Sequence, residues 1–236
     1  MITLNQHEAH AILFDKDGTL FDFGATWNVW ASKLLMRLAD GQRDRAIAVG
    51  QLVGFDLEAG VFAPDSFVIA GTPDELVEVL VPEFPNLSKL TLLTLINEEA
   101  AAAPMAEAVP LTPLLGRLAR AGLRLGVATN DGEAPAFAHL DAAGVRHHFD
   151  FVVGSDSGYG AKPQPGQLLA FCAVFGIDPR HVVMVGDSTH DLIAGRAAGM
   201  QTVAVLTGLA PASELEPFAD CVLPDIGHLP NWLGLD

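Results

Sequence analysis

The sequence predicts an α/β fold, a doubly wound parallel sheet with a small helical domain inserted near its start. Two observations predict the sheet. After residue 105, short and nearly continuous apolar runs alternate with helix signals, as strands covered on both faces of a parallel sheet require. A run of the same kind, "AILFD" at 11–15, stands alone near the beginning and supplies the natural first strand. A third observation predicts the insertion: the stretch between them is mostly helical in periodicity and far exceeds the roughly 15 residues of an ordinary structureless connection. The α/β core is therefore drawn over residues 1–23 and 105–236, and the helical cap over 24–104.

Each element follows in order. "WNVWASKLLMRLAD" and "DRAIAVGQLVG" read as helices of the insertion. "TPDELVEVLV" carries a Thr-x-x-Glu box from Thr72 to Glu75 with proline at the first helical position. "NLSKLTLLTLINEEAAAA" is a longer helix, and "EEAAAAPMAEAVP" its end running into a hinge. In the core, "TPLLGRLARAG" opens with Thr112 as cap and Pro113 as first helical residue and closes at Gly122. The strand "LRLGVATN" follows, then a helix through "EAPAFAHLDAAG" and the strand "FDFVVGSD". A helix through "PGQLLAFCAVFG" leads to "HVVMVGD", and "THDLIAGRAAG" leads to the strands "QTVAVLTG" and "CVLP".

Composition narrows the function. The chain has 236 residues, half of them apolar, with 13 basic against 29 acidic side chains and a formal charge of −16. That charge repels nucleic acid and anionic membranes. There is no uninterrupted apolar run of transmembrane length, and "MITLNQHEAH" lacks the basic-then-apolar order of a signal peptide, so a cytoplasmic protein is expected. Cys172 and Cys221 are far apart and lack CxxC spacing, which favours free thiols.

Ligands of open α/β sheets bind beyond the carboxyl ends of the strands. The residues at those ends are Asp15 and Asp17 after the first strand, Thr129 and Asn130 after the second, Lys162 after the third, and Asp187 after "HVVMVG". Asp15 and Asp17 at about 5 Å would repel by on the order of 3 kcal/mol at an effective dielectric near 20, which something must offset. Taken singly, each has an ordinary reading. Thr129 can cap the next helix, Lys162 can sit in a solvated turn, and Asp187 and Asp191 can be helix-start acids sharing a face. Gathered at one sheet end, three carboxylates, a hydroxyl, backbone amides and an ammonium suit a hard cation together with a phosphate.

The order "DKDGTLFD", "VATN", "AKPQP", "VGDSTHD" resembles the four motifs of the haloacid dehalogenase superfamily, and the helical insert resembles the small cap of its phosphoglycolate-phosphatase-like members. The resemblance spans the whole chain. It implies a magnesium-dependent phosphohydrolase acting on a small phosphorylated metabolite such as phosphoglycolate, with Asp15 as nucleophile and Asp17 as acid and base. It further implies that Thr129 and Asn130 bind the transferring phosphoryl group and that Lys162 neutralises charge between nucleophile and phosphate. Asp15, the Asp17 carbonyl and Asp187 would hold Mg2+, with Asp191 supporting. A sugar phosphomutase of the same superfamily, a receiver-type signalling module and a silent phosphate-binding protein are the alternatives.

Two residues depart from that pattern. Lys16 stands where an apolar residue is usual and, on a strand, is expected to point away from the phosphate, toward solvent or a carboxylate. Asp131 follows "TN" where a small residue is commoner, and either weakens phosphate binding or faces outward. Specificity is expected in the cap. Its basic residues are Lys33, Arg37, Arg43, Arg45 and Lys89, and "GVFAPDSFVIAG" at 60–71 is either a specificity loop or cap core.

Overall fold

The computed structural model describes residues 9–235. Six parallel strands form one sheet in the order β5-β4-β1-β6-β7-β8. They are β1 (Ala11–Phe14), β4 (Arg124–Ala128), β5 (Phe151–Val153), β6 (Val182–Gly186), β7 (Gln201–Val205) and β8 (Cys221–Leu223). β1 lies in the middle, its Phe14 level with Val127 of β4 on one side and Val185 of β6 on the other. Strand order reverses there, and the carboxyl end of β1 is thus the crevice where open sheets bind ligands.

The burial of the sheet explains its near-continuous apolar sequence. Ile12 and Phe14 of β1 face a core with Val183 and Val185, beneath Leu111, Leu115 and Leu118 of α5 (Leu111–Arg120) and Leu140 of α6 (Glu133–Ala142). Ala11 and Leu13 face the opposite core with Val182 and Met184, under α7 (Gly166–Phe175) and α8 (Thr189–Ala198). Period-2 alternation therefore distributes apolar side chains to both faces. α7 and α8 stop at Gly176 and Gly199, both left-handed C-caps. α5 begins two residues earlier than the Thr112–Pro113 signal predicts. Leu111 is its first residue and Pro110 its N-cap, and Leu111 enters the core while its N–H donates to Glu107.

The insertion has a core of its own. It contains α1 (Phe23–Leu38), α2 (Arg43–Leu52), the hairpin β2 (Phe55–Asp56) and β3 (Val61–Phe62), α3 (Pro73–Leu80) and α4 (Lys89–Ala101). Trp30, Leu34 and Leu38 of α1 recur at helical spacing and pack with Leu76, Leu80, Leu92 and Ile96. Asp22 caps α1 by accepting from the Ala25 N–H at 2.7 Å, and the Thr72–Glu75 capping box forms at α3. The two chain crossings run side by side: the Asp22 N–H donates to Ala106 and the Ala108 N–H to Leu20. α4 also packs against α6 of the core. Both cysteines are free thiols, and among the described residues no helix is long and apolar enough to cross a membrane.

Candidate active site

β1 ends at Phe14, so Asp15, Lys16 and Asp17 belong to the turn beyond it and do not alternate as strand residues. That changes where Lys16 points. Of the two expected destinations, solvent or a carboxylate, it takes the second and is fully buried, its ammonium 2.8 Å from Asp17, 3.1 Å from Asp131 and 2.9 Å from Nδ1 of His139. Asp131 faces inward as well and, with Asp15 and Thr129, lines a cavity at the carboxyl end of the sheet. Burial works against the Lys16 ammonium, but Asp17 and Asp131 outweigh it and hold its pKa above the ordinary lysine value.

Asp15 is fixed from two sides. Its N–H donates to Val185 at 2.8 Å, and its carboxylate accepts from Lys162 Nζ at 2.6 Å. Lys162 also donates to Asp191 at 2.6 Å and to the Ala128 carbonyl at 2.7 Å, so its three donors have three acceptors. Asn130 holds this lysine in place: its carboxamide oxygen accepts from the Lys162 N–H at 2.8 Å, and its NH2 donates to the carbonyls of Lys162 and Ala70. That side chain is thereby committed to the protein, and what Asn130 can offer a ligand is its backbone. Thr129 lines the cavity without capping α6, whose N-cap is Gly132; its hydroxyl accepts from the Asp131 N–H.

Asp187 and Asp191 do not share a helix face. Asp187 precedes α8, Ser188 caps it, and Asp191 closes a capping box by accepting from the Ser188 N–H and hydroxyl. The result is that Asp15, Asp187 and Asp191 place carboxylate oxygens within 4.8 Å of one another. Asp17 joins the cavity wall but turns its carboxylate to Lys16. Burial pushes the Asp15 carboxyl up to about 7, with Lys162 pulling it back and Asp191 and Asp17 adding to the rise. Burial, then Asp15 and Asp191, push Asp187 well above the usual carboxylate range. Three carboxylates facing one ammonium leave two negative charges unmatched. An all-oxygen set with that deficit fits a hard divalent cation.

Residues that the sequence reading passed over complete the site. Gly18, at φ +79°, and Gly208 close on Asp187 from two loops, and a Cβ at either would overlap its carboxylate. Thr207 donates to the Gly18 carbonyl at 2.5 Å, and Gln167 donates to the carbonyls of Thr129 and Gly160. Gly208 does end the strand-and-loop run "QTVAVLTG", the one sign in the sequence that could have flagged it. The cavity and its open mouth together take up about 730 Å3 of empty space, part of it solvent. Val68, Ile69 and Gly71 put the end of the 60–71 segment in its wall, whereas none of the cap's five basic residues is among its lining. Arg37 pairs with Glu98 and Glu99, and Lys89 with Glu78, at the surface.

Comparison with known proteins identifies the family. The haloacid dehalogenase-like hydrolase family profile matches residues 9–199. A phosphoglycolate phosphatase of Caulobacter vibrioides is 33% identical over 238 residues, covering 98% of this chain and 93% of its own. Another, from Rhodospirillum rubrum, is 39% identical over 123 residues, but there the match covers 51% of this chain and half the length of the relative. In fold, a predicted phosphoglycolate phosphatase of Haemophilus somnus superposes with a TM-score of 0.72 at 21% identity, over 95% of this chain and 97% of its own. The chain belongs to the haloacid dehalogenase-like hydrolase family, among its phosphoglycolate-phosphatase-like members.

Proposed function

We propose that the protein is a magnesium-dependent phosphatase that hydrolyses a small phosphomonoester through an aspartyl-phosphate on Asp15. The observation that carries this reading is the Asp15 carboxylate at the switch point of the sheet, held 2.6 Å from Lys162 and beside Asp187 and Asp191, with Asp17 two residues away. Asp15, Asp187 and the Asp17 carbonyl would hold Mg2+, with Asp191 at the rim of the set. When bound, the ion supplies positive charge to the phosphoryl oxygens.

In the first step a carboxylate oxygen of Asp15 bonds to phosphorus as the ester P–O bond breaks, and Asp17 gives its proton to the leaving oxygen. In the second step Asp17 takes a proton from water, the water oxygen bonds to phosphorus, and the Asp15 oxygen leaves as carboxylate. Lys162, the Thr129 hydroxyl and the backbone of Asn130 hold the phosphoryl oxygens throughout, and fixed donors of this kind favour a loose, spread-charge transition state. To carry a proton Asp17 must release Lys16, and Asp131 and His139 keep that ammonium satisfied when it does.

Residues 24–104 act as a cap over the sheet end. Their own hydrophobic core and the paired crossings at 20–22 and 106–108 support a unit that moves as one piece. The test is release of inorganic phosphate from phosphomonoesters by the purified protein with Mg2+ and with chelator. Release that depends on Mg2+ is expected; none with any phosphomonoester refutes the reading.

A further inference from the structure

We infer that the substrate's leaving group is uncharged and largely apolar, a phosphate ester of an aliphatic or aromatic alcohol, and not the ester of a hydroxy acid. This rests on the phosphatase reading of the same site and names its substrate class. The cavity has two unlike ends. At the sheet end stand the groups described above, where the phosphoryl group belongs. Opposite them stand Phe23 at the start of α1 and, from the cap, Trp27, Trp30, Val68, Leu76 and Ile96, and among the described lining residues the cap supplies no charged side chain.

Charge points the same way. Asp15, Asp17, Asp131, Asp187 and Asp191 line the cavity, and the lysines among them are Lys162, already shared by Asp15 and Asp191, and Lys16, buried behind Trp27 between Asp17 and Asp131. With a divalent ion bound and Asp17 protonated for its role as acid, this set is no better than neutral, and the phosphate dianion then makes it net negative. A second carboxylate on the leaving group would meet that excess with an apolar wall behind it, and a buried unpaired charge is costly. His190, on α8 of the core, lines the cavity from the sheet side and not from the cap.

A second observation concerns Trp27. Its indole N–H is buried and has no hydrogen-bond partner among the described residues, whereas that of Trp30 donates to the Ile96 carbonyl at 3.2 Å. Buried donors seldom stay unpaired. Trp27 itself lines the cavity, and its indole gives the hydrocarbon part of the bound alcohol a surface.

The experiment compares benzyl phosphate with 2-phosphoglycolate, both esters whose leaving group is an alkoxide, on the intact protein with Mg2+. A kcat/KM at least tenfold higher for benzyl phosphate is expected. In parallel, 2-phenylethylphosphonate, the non-hydrolysable analogue of benzyl phosphate, should inhibit with a constant at least tenfold lower than that of 3-phosphonopropionate, the corresponding analogue of phosphoglycolate. Val68→Arg, which puts a cation on the half-buried cap wall, should narrow or reverse the ratio. Preference for phosphoglycolate, with Mg2+-dependent turnover, overturns the inference and leaves the phosphatase reading standing. Turnover of neither ester, nor of any other phosphomonoester, overturns both.

Discussion

The ammonium of Lys16 lies 2.8 Å from the carboxylate of Asp17, in a pocket where Lys16 is wholly buried. Asp131 and His139 complete the cluster, and the His139 Nε2–H reaches the Ala100 carbonyl at the end of α4. One buried cation thus ties the turn after β1 to α6 and, through His139, to the inserted helices. Lys16→Met would leave two carboxylates facing each other without it. Loss of one partner from a buried ion pair costs about 3–5 kcal/mol, and much of that is the charge left behind. Urea unfolding should show a loss of that order for Lys16→Met and recovery of part of it when Asp131→Asn is added. Parental stability in Lys16→Met would refute this role.

His139 supplies a pH dependence. Accepting from Lys16 at Nδ1 and donating from Nε2, it is held neutral, and burial followed by the Lys16 charge brings its pKa down to about 4. The unfolded chain takes up that proton near pH 6.5. Its contribution to stability is therefore intact above about 6.5 and is lost as pH falls toward 4, by up to about 3 kcal/mol. His139→Gln cannot titrate, so its stability should fall less than the parent's between pH 7.5 and 4.5. Parallel curves would contradict the assignment.

Gly208 is tested by adding one methyl group. Because a Cβ there would overlap the Asp187 carboxylate, Gly208→Ala must shift Asp187 or its own loop. The expected result is at least a tenfold rise in the Mg2+ concentration giving half-maximal phosphate release, with circular dichroism unchanged. An unchanged curve would show that the loop yields freely.

Much of this was legible in the sequence because it is local. The alternation of buried runs and helix signals, the Thr72–Glu75 box, and Gly176 and Gly199 at helix ends are each written within a few residues. The order of acids, threonine and lysine at strand ends was legible because parallel sheets bring those ends together. Lys16 meets a carboxylate as expected, but which ones it meets was not legible, because β1 stops at Phe14 and a turn does not obey the alternation of a strand. The partners of Lys16 in α6 and of Asn130 in the 60–71 segment lie far along the chain, so no spacing could announce them. Gly208 is needed for a close approach from a distant loop, which composition does not encode.

The metal prediction has its own sign. In the metal-free protein burial raises Asp15 to about 7, and a cation needs that carboxylate ionised. Mg2+ should therefore bind more weakly as pH falls below 7, and the rise in melting temperature it causes should be smaller at pH 5.5 than at pH 8. Chelator should abolish turnover, and Ca2+, with its looser coordination, should inhibit. Equal stabilisation at both pH values, or full turnover in chelator, would contradict the cation site.

The central claim, that Asp15 carries the phosphoryl group and Asp17 moves the proton, is tested most directly by intact-protein mass spectrometry after an acid quench. Asp15→Asn and Asp17→Asn would each be mixed with Mg2+ and an aryl phosphate whose leaving group needs no proton. An amide at position 15 cannot attack phosphorus effectively, so that variant should gain no mass. Asp17→Asn can still be phosphorylated but hydrolyses the intermediate slowly, so it should accumulate one phosphoryl group. The reverse pattern would exchange the two roles, and normal turnover in both variants with phosphate on neither would contradict the account.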